Sequence, residues 1–268
     1  MMVIAHFVAI TCYIAAAGLA ALPFARRVEA PVKAVVAVLT AGVLAHLVAL
    51  TSLVSASGSG SLTGLGPALS FAGFVLAIAL LLVEVFAREV SLTLIAAPLA
   101  ALVTTAGHLT GLHPFLDPRG TQAFWLVSHI VLSFVGMGAY ATAAAAGTMY
   151  LVARRELKSA RFGAIYRFFP PLDTLDRVNH IASVAGFFGL TTGLALAGAY
   201  SIAYRTLVVP QLVWGLGAWV CVGALALGRL LRGWQARRAA VMSAITFASV
   251  MVLYVVFRAI AFDRGQFL

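Results

Sequence analysis

Apolar residues run along this chain in eight long stretches, about 3–25, 33–54, 67–87, 91–112, 121–152, 178–203, 207–230 and 239–261. A helix needs roughly 20 predominantly apolar residues to cross a bilayer. In lipid every backbone N–H and C=O must be satisfied within its own segment, so such stretches become helices. The period-two alternation of a membrane barrel is absent. The pattern therefore predicts an all-α polytopic membrane protein with about eight transmembrane helices, organised as one transmembrane domain over 1–268. The fifth stretch is longer than a bilayer requires, so it should tilt or project beyond the membrane.

Composition removes the aqueous alternative. Hydrophobic residues make up 63% of the 268, charged residues only 10%, and the mean hydropathy is +1.05. A soluble domain carries charge on about a quarter of its residues. The net charge of +10 is not a nucleic-acid signature, because the basic residues sit in short clusters between apolar runs. One set of connectors holds Arg26, Arg27, Lys33, Arg88, Arg154, Arg155, Lys158, Arg161, Arg167, Arg177, Arg229, Arg232, Arg237 and Arg238, which is 14 of the 18 cations. The opposite set holds Arg119, Arg205, Arg258 and Arg264. The positive-inside rule puts the richer set in the cytoplasm and both termini on the non-cytoplasmic side. Residues 1–25 lack a basic leading region and a small-residue cleavage site, and are read as the first retained helix.

The connectors add little chemistry. Ser55–Gly66 is a glycine- and serine-rich turn without a complete GxGxxG, which argues against phosphate binding. His113–Gly120 is a proline-bounded turn. The segment 153–177 reads as an interfacial helix ending at Pro170-Pro171, after which Asp173 or Thr174 is placed to cap the sixth helix. Cys12 and Cys221 lie inside apolar runs and form neither CxxC nor CxxCH.

Polar side chains at membrane depth are costly, so they are the informative ones. Five of the six histidines (His6, His46, His108, His113 and His129) map to the outer half or outer loops, with His6 and His113 read as interfacial. His180 alone lies near the inner face. There is no HExxH and no GxSxG, and carboxylates within the spans are nearly absent, so hydrolase and proton-pump chemistries are unsupported. On the fifth helix, His129, Ser133, Gly136 and Tyr140 recur at i, i+4, i+7 and i+11 and share one face. Such a face either admits a flat ligand beside a histidine nitrogen or packs closely against another helix, with His129 hydrogen-bonded across it. His46 follows Gly42 by one turn at similar depth. Two imidazoles from separate helices can hold a haem iron, and each can equally be a buried structural histidine. Glu84 and Arg88 have i,i+4 spacing at the inner end of the third helix. Arg258, late in the eighth, either pairs with an acidic ligand group such as a haem propionate or snorkels outward.

Trp125-xxx-His129 continuing through Ser133 to Tyr140 resembles the helix of cytochrome c assembly proteins of the CcsA/CcmC/HemX type. Leu175-Asp176 and, after His180, Gly186-Phe187-xx-Leu190-Thr191-x-Gly193 resemble the next helix of that family. Gly233-Trp234 with Arg237-Arg238, and a late basic residue at Arg258, extend the likeness, which is nearest to the short HemX/YpjD-like branch. The resemblance implies haem handling in a bacterial inner membrane, with non-covalent b-type haem as cofactor. It implies His129 as an iron ligand; helix depth adds His46 as the second, with Arg258, Tyr140 and Ser133 beside the cofactor. Its implied partners are haem, the lipid bilayer and other cytochrome assembly or respiratory membrane proteins. The family's tryptophan-rich outer motif is missing, with only Tyr204–Pro210 and then Trp214-Gly215 in its place. A non-enzymatic protein is therefore expected.

Two rivals stand beside this reading. An accessory subunit that stabilises a larger membrane complex and binds no haem would have the same short loops. A small-solute transporter fits less well, since intramembrane carboxylates, broken helices and a clear internal repeat are lacking.

Overall fold

The computed structural model describes residues 1–26, 28, 31–57, 62, 64–87, 91–112, 120–159, 169–205, 209–234 and 236–263. Among them the only regular structure is helical: α1 (Met2–Arg26), α2 (Val32–Ser57), α3 (Leu65–Ala87), α4 (Thr93–Leu109), α5 (Gly120–Ser159), α6 (Leu172–Tyr204), α7 (Val209–Arg232) and α8 (Ala236–Asp263). All eight expected helices are present. Seven are long and apolar enough to cross a membrane. The exception, α4, has 17 residues, which at about 1.5 Å each reach roughly 25 Å, short of a hydrocarbon core of about 30 Å. Its apolar pattern ran to 112, but the chain leaves the helix through Thr110 and Gly111, whose φ of 88° suits glycine alone.

Other boundaries moved for local reasons. α5 runs to Ser159, taking up the first part of the expected interfacial helix; residues 160–168 of that segment lie outside the described residues. α6 begins at Leu172, directly after Pro170-Pro171, where a proline loses no helical hydrogen bond. Asp173 therefore sits in the first turn of α6, where its charge meets the positive helix end, and does not cap the helix as expected.

The chain divides into two compact units. The first is Met1–Arg119 with Arg155–Thr174; the second is Gly120–Arg154 with Leu175–Leu268. In the first, α1 packs on α2 and α4, and α3 packs on α2 and α4, closing a four-helix arrangement. Small residues bring α3 and α4 together: a Cβ on Gly107 would fall 2.7 Å from the Gly66 carbonyl oxygen and from the Ser70 nitrogen. In the second unit, α5 and α6 touch backbone to backbone, since a Cβ on Gly189 would lie 2.6 Å from the Gly136 Cα. Its core gathers Tyr140, Ala143, Ala182, Leu190, Val222, Leu225 and Ala239 from α5, α6, α7 and α8.

Candidate functional site

The first unit encloses a polar cluster that sequence reasoning found only in part. His6 and His46 are both wholly buried among neighbouring helices. Their Nε2 atoms meet at one hydroxyl, Ser70 Oγ, at 2.8 Å and 3.0 Å. His6 Nδ1 lies 3.2 Å from the Met2 carbonyl oxygen, and His46 Nδ1 lies 3.0 Å from the Tyr13 hydroxyl. Counting donors orients the chain for neutral rings. A carbonyl only accepts, so His6 donates from Nδ1 and its Nε2 must accept the Ser70 proton. Ser70 has then spent its one proton and accepts from His46 Nε2–H, which leaves His46 Nδ1 to accept from Tyr13 O–H. Every member is satisfied, and neither imidazole keeps a free lone pair. The His108 ring stands beside this cluster, 5.9 Å from the His6 ring and 5.2 Å from the Phe7 ring, with its Nδ1 buried and unpartnered.

The second unit treats His129 differently, and its other histidine, His180, keeps a buried Nδ1 without a partner. His129 is partly buried, and its Nδ1 is 2.8 Å from the carbonyl oxygen of Gly193 on α6. Again the carbonyl must accept, so Nδ1 carries the proton and the neutral ring leaves a bare lone pair on Nε2. No partner for Nε2 occurs among the described residues. Ser133 Oγ lies 3.3 Å from the same Nδ1. The shared face of His129, Ser133, Gly136 and Tyr140 meets α6 along its length: Ser133 reaches Gly193, Gly136 reaches Gly189 and Leu190, and Tyr140 reaches Gly186. Close packing is thus what the stripe does, and the tethered His129 is its one open valence. Tyr140 is fully buried and its hydroxyl bonds to Thr246 on α8.

A second network of the unit escaped sequence reasoning. Asn179 on α6 donates to the Ala143 carbonyl at 2.6 Å and to Ser243 Oγ at 2.8 Å, and accepts from Arg229 Nη1 at 3.1 Å. The same Arg229 nitrogen lies 2.7 Å from Asp176 Oδ1. That contact is a charge pair without an aligned N–H, since Asp176 Oδ1 has no directed hydrogen bond. One cation thereby ties α7 to α6, and Asn179 carries the tie to α5 and α8. The sequence placed Arg229 among the basic connector residues; its helical depth and the lone Asn179 were the available signals for the network.

Of the expected site residues, His129, Ser133 and Tyr140 share the second unit, and His46 belongs to the first. Arg258 lies in α8, with its side chain outside the described residues, as are all of His113, Arg88 and Arg119. Both Glu84 carboxylate oxygens are buried and unpartnered. No group of three or more His, Cys, Asp or Glu residues suited to a bare metal ion occurs among the described residues. Cys12 and Cys221 are free thiols.

Seven helices long and apolar enough to cross a membrane, with the shorter apolar α4, define the class among the described residues: a multi-pass membrane protein. The family described as Cytochrome C assembly protein matches residues 62–261, so the chain belongs to that family. It is similar to the cytochrome c biogenesis protein CcsA of Synechococcus elongatus and that of Synechococcus sp., each 36% identical over 86 residues. That stretch is 31% of this chain and only 26% of each relative's length. No solved structure gives a significant match.

Proposed function

We propose that this chain handles haem in cytochrome c biogenesis, with His129 as the residue that would hold the iron. The observation that carries the reading is the His129 Nδ1–H bond to the Gly193 carbonyl. Ligating histidines characteristically donate their second nitrogen in this way, which sets the tautomer, orients the ring and raises the basicity of the ligating nitrogen. Non-covalent b-type haem is the form consistent with the absence of a CxxCH sequence. When bound, the haem would supply an iron centre able to change oxidation state. The chain's own contribution is to fix the imidazole with its Nε2 open and to surround it with apolar helix. Ser133 buttresses Nδ1, and Tyr140 locks α5 to α8 below it. Arg258, on α8, remains the proposed partner of a propionate. A non-enzymatic role accords with the missing tryptophan-rich segment.

His46 stands as a conditional ligand. It reaches iron only by releasing the Tyr13 hydroxyl from Nδ1 or by turning Nε2 away from Ser70. The closed state of that network favours a second reading for the first unit, that of a scaffold within a larger assembly that touches no haem.

The test is the absorption spectrum of the purified full-length protein. His129→Ala should abolish the Soret band or shift it strongly while the protein stays in the membrane, and His46→Ala should change it far less. An unchanged Soret band in the His46/His129 double alanine variant would eliminate the site. Orientation is checked separately: a cysteine at Ser55 should be labelled by an impermeant reagent from outside intact cells, and one at Ser159 should not. The reverse pattern would invert the proposed topology.

A further inference from the structure

Where α3 passes into α4, the first unit buries several oxygen atoms that nothing in the chain satisfies. Glu84 is the only Asp or Glu on α1–α4. It is 1% exposed, and neither carboxylate oxygen has a hydrogen-bond partner, from a side chain or from the first-turn N–H groups of α4. Ser91 Oγ and Thr93 Oγ1 are buried and unpartnered in the same way.

The seam between α3 and α4 brings these groups to one place. A Cβ on Gly107 would lie 3.2 Å from the Ser70 Cα. One on Gly73 would lie 3.0 Å from the Ala100 carbonyl oxygen and would meet the Thr104 hydroxyl. Residues three and four apart share a helix face, so each such step along α3 is matched by an equal step back along α4. Ser70 beside Gly107 and Gly73 beside Thr104 therefore continue as Ala77 beside Ala100, Leu80 beside Ala97 and Glu84 beside Thr93. Burial follows this register, since all six of the latter are buried. Ser91 belongs to the turn that leads directly into α4.

This end of the seam thus holds the two Glu84 oxygens and the hydroxyls of Thr93 and Ser91. Glu84 also lies in the last turn of α3, which carries no basic residue and where carbonyl oxygens lack helical partners. An ionised carboxylate in apolar surroundings needs a counter-charge. A proton would satisfy one of these oxygens and leave the rest as they are, whereas a metal cation satisfies several at once. Oxygen donors select hard cations. A single carboxylate balances a single charge, so a divalent ion would leave uncompensated charge among apolar helices.

We propose that Glu84, Thr93 and Ser91 bind an alkali-metal cation, the carboxylate supplying the charge and the hydroxyls extending the oxygen set. Glycines hold α3 to α4 at the far end of the seam, and the ion ties the two helices at this end. The site shares no residue with the one built on His129 and requires no haem.

Equilibrium dialysis of the detergent-purified full-length protein tests this, with radiolabelled sodium or rubidium in choline chloride and a chelator of divalent ions. The wild-type chain should retain one ion, and the label retained more strongly gives the preferred ion size. Glu84→Gln keeps the side-chain shape, removes the charge and should abolish retention. Thr93→Val should weaken it severalfold. Asp173→Asn, an equal loss of charge on an exposed residue, should leave it unchanged, as should Arg88→Gln. If Glu84→Gln does not fold, Thr93→Val is read in its place, together with the wild-type melting temperature. That temperature should rise with sodium or rubidium chloride over choline chloride at equal ionic strength, because an ion bound only by the folded chain stabilises it. No ion retained by the wild type, equal retention by Glu84→Gln, or an equal loss in Asp173→Asn would overturn the proposal. Retention that begins only in Arg88→Gln would overturn it too, by assigning the carboxylate to that arginine.

Discussion

His46 in the first unit and His129 in the second each lie in an apolar helix bundle, and the two are left in opposite states. In the first unit, His46 exchanges hydrogen bonds with Tyr13 and Ser70, and Ser70 passes the chain to His6 and the Met2 carbonyl. Donors and acceptors balance, so the network is closed. In the second unit, His129 is tethered at one nitrogen to the Gly193 carbonyl and is open at the other. Burial differs too, since His46 is wholly buried and His129 only partly. The difference in bonding lies in the partners: two hydroxyl groups and a second imidazole can satisfy both ring nitrogens, whereas a lone backbone carbonyl satisfies only one. The family match begins at residue 62, so His6, Tyr13 and His46 fall outside it, while Ser70 and His129 fall inside. His108 and His180, whose Nδ1 atoms are buried without a partner, fall inside it as well.

Three substitutions press on this comparison, in decreasing order of expected effect. Gly136→Ala drives a methyl to 2.6 Å from the Leu190 nitrogen and 2.8 Å from the Gly189 carbonyl carbon, the two atoms of one α6 peptide bond. Overpacking of this kind costs about 1–3 kcal/mol, and it should push α6 away so that the Gly193 carbonyl loosens its hold on His129. Thermal unfolding should come earlier and the haem band should broaden or move. A normal band alongside lowered stability would show that the tether does not tune the site.

Ser70→Ala acts on the closed network instead. It removes two interhelical bonds, each worth about 0.6 kcal/mol in a membrane and at most about 1.7. The total of about 1–3 kcal/mol should appear in thermal unfolding, with the haem spectrum unchanged. A spectral change would mean that His46 ligates iron once its Nε2 is released, and the contrast between the units would fail. Tyr140→Phe is the mildest. It deletes only the hydroxyl bond to Thr246 and keeps the ring in the core beside Phe247. A loss of about 0.6 kcal/mol is expected, and a large spectral effect would bring Tyr140 back as a residue that touches the cofactor.

Much of the fold was legible from hydropathy alone, because lipid imposes helical structure on any long apolar stretch. The eight helices, the outsized length of α5 and the shared face of His129, Ser133, Gly136 and Tyr140 all follow from apolar length and the helical repeat. The boundaries that moved did so where a single residue outweighed the pattern, at Gly111 with its positive φ and at the Pro170-Pro171 step.

Side-chain partnership was not legible in the same way. A helical repeat shows which residues share a face, but not what that face meets. Sequence spacing therefore left ligand binding and packing open for the α5 stripe, and the structure places α6 against it. His6 and His46 are 40 positions apart, and their common partner Ser70 had no signal of its own among the many serines and threonines. Arg229 looked like one more basic loop residue until α6 brought Asp176 and Asn179 to it. By itself the sequence determined that the chain is a helical membrane protein and which residues are costly to bury there, because both follow from the transfer of single groups out of water. Only the tertiary structure decided which of those groups are satisfied and which keep a free valence, because a hydrogen bond between helices depends on the register and approach of two segments far apart in the chain.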